Sequence, residues 1–124
     1  MRITKTYTFE ASHALPNHAG KCAGLHGHSY RLEVTVEGAL QSDGTAAGMV
    51  MDFEDMSRSV RPAAVDRLDH KHLNDVVDNP TCERILVWIW SELIPQLPVL
   101  AKLTLWETAT SCATLRRGDP ETIR

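Results

Sequence analysis

Two stretches of the chain alternate between apolar and polar positions, which is the two-residue period of a half-buried β-strand. The first covers residues 2–13, where Lys5 is the only misfit, and the second covers residues 26–37. Their apolar faces consist of Ile3, Tyr7, Phe9, Ala11 and His13 in the first, and of His26, His28, Tyr30, Leu32, Val34 and Val36 in the second. The segment between them, "LPNHAGKCAG", has the proline, asparagine and glycine content of a loop. We therefore expect two strands joined by a loop.

A turn, a short strand and a helix are predicted next. Residues 38–48, "GALQSDGTAAG", indicate a turn. The following "MVMDF" (49–53) predicts a short strand that forms a hairpin with the preceding one. Residues 54–68 place apolar side chains at helical spacing, and Pro62 within them predicts a kink or a break.

The clearest helix of the chain is the segment "NPTCERILVWIWSELI". Asn79 or Thr81 is suited to cap it, and Pro80 suits its first turn. Alternation returns over 102–108 and about 112–117, which predicts two further strands. This order of elements predicts an α+β fold in which an antiparallel sheet carries the helices on one face.

Length and composition exclude several classes of protein. A chain of 124 residues fits one domain, which we expect to span residues 1–124, and 43% hydrophobic with 23% charged residues is typical of a globular protein. A formal net charge of -3 gives no general electrostatic case for nucleic-acid binding. No apolar run approaches the roughly 18 residues that cross a bilayer, and "MRITKTYTFE" lacks the apolar stretch of a signal peptide, so we expect a cytoplasmic protein without a membrane partner. Three cysteines, an odd number, argue against a complete disulfide framework.

Three histidines are candidates for a metal site. His26 and His28 lie two residues apart on one strand, so their side chains project from the same side about 6–7 Å apart at the backbone. His13 ends the first strand on its apolar side. If the two strands pair, all three meet at one end, and three neutral imidazoles with an open fourth position describe a catalytic zinc site. The alternative is a set of ordinary hydrogen-bonded histidines.

Cys22 lies in the loop that leads to the histidine pair. Beside a divalent cation or an imidazolium, the pKa of a thiol is lowered, and its thiolate acts as a base or a nucleophile. The same thiol can instead be a fourth zinc ligand, and the spacing does not choose between these two roles.

Two further acidic positions are candidates for chemistry. Asp69 beside His70 resembles a carboxylate–imidazole unit in which the acid orients the base, although solvated turn residues are the simpler interpretation. Glu107 continues the apolar side of Leu103 and Leu105, where an apolar residue is expected. Its carboxylate either holds a flat amidine-like ligand group by two parallel hydrogen bonds or reaches solvent at the strand end.

Six segments, in order along the chain, resemble one protein family closely. They are "FEASHALP", "KCAGLHGHSYRLEVTVEG", "GMVMDFEDM", "LDHKHLND", "NPTCERILVWIW" and "WETATSCATLRR". On these segments the chain resembles the 6-pyruvoyltetrahydropterin synthase / 6-carboxytetrahydropterin synthase family, from about Thr8 to Arg117. The resemblance implies the tunnelling fold, in which a four-stranded antiparallel sheet carries two helices. It also implies a homohexamer, a dimer of trimeric barrels, with active sites between subunits.

The resemblance also implies a role for each candidate residue. It implies that the zinc ligands are His13, His26 and His28. It implies that Cys22 is the catalytic thiol and that Asp69 and His70 are the acid–base pair. Glu107 matches the carboxylate that anchors the pterin, and Thr81 and Glu83 match further pterin contacts. Cys82 stands where Ser or Thr is expected.

The spacing of the cysteine and the histidines bears on the product. Three residues separate Cys22 from His26, as in the bacterial 6-carboxytetrahydropterin synthases of queuosine biosynthesis. This implies conversion of 7,8-dihydroneopterin triphosphate to carboxytetrahydropterin with release of triphosphate and acetaldehyde, and Lys21 is a candidate to meet the triphosphate. The alternatives are a pyruvoyl-forming or side-chain-cleaving synthase, a zinc-binding module without catalysis, and a zinc hydrolase that uses three histidines and a water.

Overall fold

A five-stranded sheet is the centre of the computed structural model, which describes residues 1–123. The strands are β1 (Arg2–His13), β2 (His26–Glu37), β3 (Lys71–His72), β4 (Leu100–Trp106) and β5 (Cys112–Arg116). Their order across the sheet is β3-β1-β2-β4-β5, in which only the β1–β3 pair is parallel. The expectation of four antiparallel strands is therefore corrected to five strands. The additional strand is β3, which is two residues long and parallel to β1.

The pairing of β1 with β2 positions the candidate metal ligands. Their antiparallel register places His13 opposite His26 and Ala11 opposite His28. The two-residue alternation predicted from the sequence is confirmed, because Tyr7 and Phe9 are buried while the intervening Thr8 is exposed. All three histidines consequently lie on the apolar side of the sheet, at the same end.

The predicted strand at 49–53 and its hairpin are wrong. Within the described residues this segment is irregular, and the turn before it contains only an isolated bridge between Gln41 and Ala47. Asp52 instead caps the first helix, because its carboxylate accepts a hydrogen bond from the Glu54 N–H at 2.8 Å. The additional strand, β3, comes from "LDHKHLND". Its residues Lys71–His72 pair with β1.

Two helices pack on the apolar side of the sheet. Helix α1 (Phe53–Val60) runs into a π-helical segment at Arg61–Val65 and a last helical turn at Asp66–Leu68. Pro62 lies in the π-helical segment, so the irregularity predicted at this proline is confirmed. Helix α2 (Cys82–Leu93) begins after Thr81, whose hydroxyl accepts a hydrogen bond from the Arg84 N–H and so caps the helix. Pro80 lies before this cap and is therefore outside the first turn, where the sequence had placed it.

The core lies between these helices and one side of the sheet. Buried side chains of both helices form one cluster with the apolar-side residues of the strands, including Met56, Ile85, Tyr30 and Leu103. The other side of the sheet carries the polar positions of the strands and no helix. No helix within residues 1–123 is both long and apolar enough to cross a bilayer.

Candidate metal centre and active site

Three imidazole rings converge at the end of the sheet where β1 ends and β2 begins. One ring nitrogen from each of His13, His26 and His28 lies within 4.8 Å of the others. The ring centroids are 4.5–5.0 Å apart, and the rings stand at 67–89° to one another. The strand register thus brings together the three side chains that the sequence predicted to meet.

The hydrogen bonds of two rings determine which nitrogen carries the proton. His13 Nδ1 lies 2.8 Å from the Pro80 carbonyl oxygen, and His26 Nδ1 lies 2.7 Å from the Gly24 carbonyl oxygen. Because a carbonyl oxygen only accepts, each Nδ1 donates, and each neutral ring then has a lone pair on Nε2. These two Nε2 atoms face each other at 2.9 Å. Two acceptors at this distance repel unless a cation or an additional proton lies between them.

The third ring contributes a buried nitrogen without a hydrogen-bond partner in the described part of the chain, His28 Nε2. Burial lowers the pKa of His28, and the nearby Glu107 carboxylate opposes this effect. The ring is therefore held neutral, as a metal ligand must be. Three neutral imidazole nitrogens that point at one place fit a divalent transition metal, zinc above all.

The backbone around the cluster is held in place by Thr81, which the sequence predicted as a helix cap, and by Asn74, which the sequence did not single out. The Thr81 cap fixes the start of α2. Thr81 directly follows Pro80, whose carbonyl accepts the hydrogen bond from His13 Nδ1. Asn74 bonds both backbone groups of Ala14, at 2.9 Å and 2.8 Å, and so fixes the chain directly after His13. Partners of this kind orient a ligand ring before the metal arrives.

Glu107 lies at the cluster, one residue beyond the end of β4. Its Oε1 is 3.5 Å from the Nε2 atoms of both His13 and His28. Its backbone N–H donates to the Ser111 carbonyl, which closes the turn to β5. The carboxylate also borders a cavity of about 190 Å³ that is lined in addition by Cys82, Glu83, Ser111, Cys112 and Ala113. Glu107 therefore faces the histidines and a concave surface together.

The residues around the start of α2 have different surroundings. The Thr81 hydroxyl is engaged as the helix cap, whereas Glu83 is exposed and lines the cavity beside Glu107. The Cys82 thiol is buried and donates to the Leu105 carbonyl at 3.2 Å. Burial raises the pKa of Cys82 to about 12, so this thiol remains protonated and is not a nucleophile near neutral pH.

Cys22 lies in a 3₁₀ turn, Lys21–Ala23, between β1 and β2. It is half-buried, and its carbonyl accepts a hydrogen bond from the Leu15 N–H at 3.3 Å. In the described part of the chain, the group of converging ligand atoms consists of the three histidines without the Cys22 sulfur.

Asp69 and His70 form a hydrogen-bonded pair at the edge of the sheet. Asp69 Oδ1 lies 3.0 Å from His70 Nδ1 and accepts the Glu10 N–H at 2.9 Å. The latter bond is the main reason why the pKa of the Asp69 carboxyl is below its usual value. The His70 N–H in turn donates to the Glu10 carbonyl, and His70 has a φ of +59°, a strained conformation that this double attachment maintains.

The pair does not contact the three histidines within one chain. Among residues 1–123, no hydrogen bond or ion pair joins Asp69 or His70 to the cluster. The His70 side chain is 79% exposed and borders a cavity of about 480 Å³ that is also lined by Glu10, Ser12, His28, Ser29 and His72. The described part of the chain thus presents an oriented imidazole at its surface, in a cavity that His28 of the cluster also borders.

Comparison with known proteins places the chain among pterin enzymes. A family model described as 6-pyruvoyl tetrahydropterin synthase matches residues 2–118. A 6-carboxy-5,6,7,8-tetrahydropterin synthase from Synechocystis sp. is 43% identical over 115 residues, which cover 90% of this chain and 89% of the relative. A dihydroneopterin monophosphate aldolase from Pyrococcus furiosus is 39% identical over 109 residues, which cover 86% and 89%. The structure of 6-pyruvoyl tetrahydropterin synthase from Caenorhabditis elegans matches with a TM-score of 0.82 at 24% identity over 94% of both chains, so the fold is shared.

Proposed function

The chain belongs to the 6-pyruvoyl tetrahydropterin synthase family, and on that premise we propose that it is a zinc-dependent 6-carboxy-5,6,7,8-tetrahydropterin synthase. The proposed reaction converts 7,8-dihydroneopterin triphosphate and one water molecule to carboxytetrahydropterin, triphosphate and acetaldehyde, as a step toward queuosine and related 7-deazapurines. We place this reaction in the cytoplasm. The observation that carries the proposal is the convergence of one ring nitrogen from each of His13, His26 and His28 at one place.

The donor set leaves room for a substrate at the metal. Zinc held by these three nitrogens would supply a Lewis acid that lowers the pKa of a substrate hydroxyl. Structural zinc sites are closed by four protein ligands, whereas catalytic sites keep one position open. The three-histidine cluster corresponds to the open type, which argues against a non-catalytic zinc module with Cys22 as a fourth ligand.

Glu107 binds and orients the pterin in this proposal. Its carboxylate borders the cavity with Glu83, and a carboxylate can accept two parallel hydrogen bonds from the flat amidine-like edge of a pterin. The same side chain lies 3.5 Å from two of the histidine nitrogens, so a pterin bound to it would lie beside the metal position. Thr81 contributes through the start of α2, since its own hydroxyl caps the helix.

Cys22 and the Asp69–His70 pair move protons. Cys22 lies in the loop that immediately precedes the histidine pair, and its thiolate takes a proton from the substrate side chain. Asp69 holds the Nδ1 proton of His70, which leaves Nε2 as the atom that exchanges a proton with the substrate. A hydrolase using only the three histidines and a water would leave Cys22 and Glu107 without a role.

We propose that the site is completed by neighbouring subunits in a homohexamer, a dimer of trimers. The cavity beside Glu107 is about 190 Å³, below the roughly 300 Å³ at which small-molecule sites begin. His70 is oriented and exposed but has no partner from the cluster in its own chain. Both features are expected if His70 of one subunit serves the metal centre of another.

Mass spectrometry of the product tests the proposed function. Zinc-loaded protein is incubated with 7,8-dihydroneopterin triphosphate, and the proposal predicts the mass of carboxytetrahydropterin together with one acetaldehyde per turnover. The three-residue gap between Cys22 and His26 and the 43% identical relative favour this product. A pyruvoyl product or an aldolase product would contradict it, and the absence of any turnover would favour the non-catalytic zinc module.

A further inference from the structure

The end of the sheet farthest from His13 carries a concentration of cationic side chains. On the helix-free side, a concavity of about 480 Å³ is lined by Arg2, Glu37, Ala101, Lys102, Arg116 and Arg117. The one carboxylate of this lining, Glu37, is bound to Arg2 at 3.2 Å, so the lining carries more positive than negative charge. This contrasts with the formal net charge of -3 of the whole chain.

Two of these cations lie directly opposite each other in the sheet. Lys102 of β4 pairs with Arg116 of β5 in the antiparallel ladder. Like charges at directly opposed positions destabilise a strand pair. Within residues 1–123, neither side chain forms an ion pair. The fold therefore maintains an electrostatic repulsion that an anion between the two strands would remove.

Arg117 follows Arg116 in the chain, but its guanidinium group is held on the other side of the sheet. Arg117 donates from Nε and Nη2 to the Leu100 carbonyl and from Nη2 also to the Pro98 carbonyl. Its guanidinium group lies 5.9 Å from the ring centroid of Trp90. Arg117 is therefore held against α2, and the cations available to an anion between the two strands are Lys102 and Arg116.

We propose that this concavity is a polyphosphate-binding site, one per chain and separate from the three-histidine centre. Thr35, which pairs with Lys102, is seven residues along β2 from His28, a distance of about 23 Å in an extended strand. Lys102 and Arg116 lie on the helix-free side of the sheet, whereas the histidines lie on the apolar side. The lining has no aromatic side chain on which a base could stack, so recognition rests on the phosphate chain. Two compounds supply such a phosphate chain. One is inorganic triphosphate, which is the leaving group of the proposed reaction, and the other is a nucleoside triphosphate.

Isothermal titration calorimetry on the zinc-loaded protein tests the site with inorganic triphosphate and, separately, with adenosine triphosphate. We expect Lys102→Gln and Arg116→Gln each to weaken triphosphate binding about fivefold to tenfold, because each removes one charge-assisted contact. The double variant Lys102→Gln/Arg116→Gln is expected to bind one triphosphate fewer per chain than the wild type. The matched control is Arg58→Gln, which removes an exposed cation paired with Asp55 on α1 and should leave the titration unchanged.

Folding and charge are separated by two further measurements. Loss of the repulsion predicts that the ligand-free double variant melts at the same temperature as the wild type or higher. Lys102→Arg retains the charge and is expected to bind within threefold of the wild type. Triphosphate binding that is unchanged in the double variant would overturn the proposal, as would a Lys102→Arg variant that binds as weakly as Lys102→Gln.

The two ligands identify the source of the phosphate chain. Tighter binding of inorganic triphosphate identifies the leaving group, and tighter binding of the nucleotide identifies a nucleotide. Either result supports the site if the affinity depends on Lys102 and Arg116. The site shares no residue with the proposed reaction, so its failure would leave the product assay unaffected.

Discussion

At the scale of single residues, the protonation of two imidazole rings determines what the site can hold. The carbonyl groups of Pro80 and Gly24 require protons on Nδ1 of His13 and His26, and the two Nε2 lone pairs then face each other at 2.9 Å. The sequence predicted that the rings would meet, because strand alternation fixes which side chains share a side. It could not predict the carbonyl partners, since Pro80 approaches His13 from 67 residues away along the chain.

Removal of one ring is expected to abolish metal binding. His28→Ala leaves two imidazoles, and we expect the purified protein to contain less than about a tenth of the wild-type zinc, as measured by inductively coupled plasma mass spectrometry. The matched control is His18→Ala, a histidine in the exposed loop outside the cluster, which should retain full zinc content. Equal zinc in both variants would contradict the assignment of His28.

Cys22 and Cys112 provide a matched pair for the catalytic thiol. Cys22→Ala is expected to lower kcat about 10²-fold to 10⁴-fold with zinc content unchanged, because a proton-transfer group is lost and a metal ligand is not. Cys112→Ala, which removes an exposed thiol, is expected to retain wild-type kcat. Loss of zinc from the Cys22→Ala protein would contradict the role of this thiol as a base.

Cys82 is expected to be the least reactive of the three thiols. Only the thiolate is alkylated, and with a pKa of about 12 the thiolate fraction of Cys82 at pH 8 is on the order of 10⁻⁴. Its reactivity should rise as the pH approaches 12, or at once when the chain is unfolded. Peptide mass spectrometry after iodoacetamide treatment at pH 8 should show rapid labelling of Cys112 and none of Cys82. Labelling of Cys82 at the rate of Cys112 in folded protein would be inconsistent with its buried environment.

At the scale of elements, long periodic segments were predicted well and short ones were not. β1, β2 and α2 follow apolar periodicity over twelve residues each, and the structure confirms them. The segment at 49–53 has the composition of a strand, but Asp52 is used to cap α1. β3 has only two residues, and the Asp69 and His70 contacts to Glu10 attach it to the edge of β1. Such attachments are long-range contacts that leave no periodic pattern.

The start of α2 connects helix stability to the metal centre. Thr81→Ala removes the cap, which we expect to lower the free energy of unfolding by about 1 kcal/mol. Because Pro80 loses its fixed position, zinc affinity should also fall, about 10-fold to 100-fold. Thr81→Ser keeps the hydroxyl and should restore both quantities, as measured by chemical denaturation and by competition with a zinc chelator. If Thr81→Ala lowers stability but not zinc affinity, the Pro80 carbonyl does not orient His13.

At the scale of the whole molecule, one chain carries the chemistry in two separate parts. The three histidines and Glu107 lie at one place, whereas the Asp69–His70 pair lies at the sheet edge without contact to them. The sequence patterns of a single chain describe how that chain buries its own apolar surface. They do not show which surfaces of two copies meet, so the assembly entered the prediction only through the family resemblance.

Complementation between inactive variants tests the shared site. Cys22→Ala and His70→Ala are each expected to be inactive as homo-oligomers. When the two are co-expressed, a site that takes Cys22 from one chain and His70 from another is intact in about one case in four. We therefore expect roughly a quarter of wild-type turnover from the mixture. Activity no greater than the sum of the two separate variants would show that the residues act within one chain.

The most direct test of the whole account is X-ray absorption spectroscopy at the zinc edge of the loaded, substrate-free protein. The account predicts three imidazole nitrogens and one light-atom ligand at about 2.0–2.1 Å, with no sulfur near 2.3 Å. This result would place His13, His26 and His28 at an open catalytic centre with Cys22 free to act as a base. A zinc–sulfur distance of about 2.3 Å would contradict it and identify a closed site with four protein ligands.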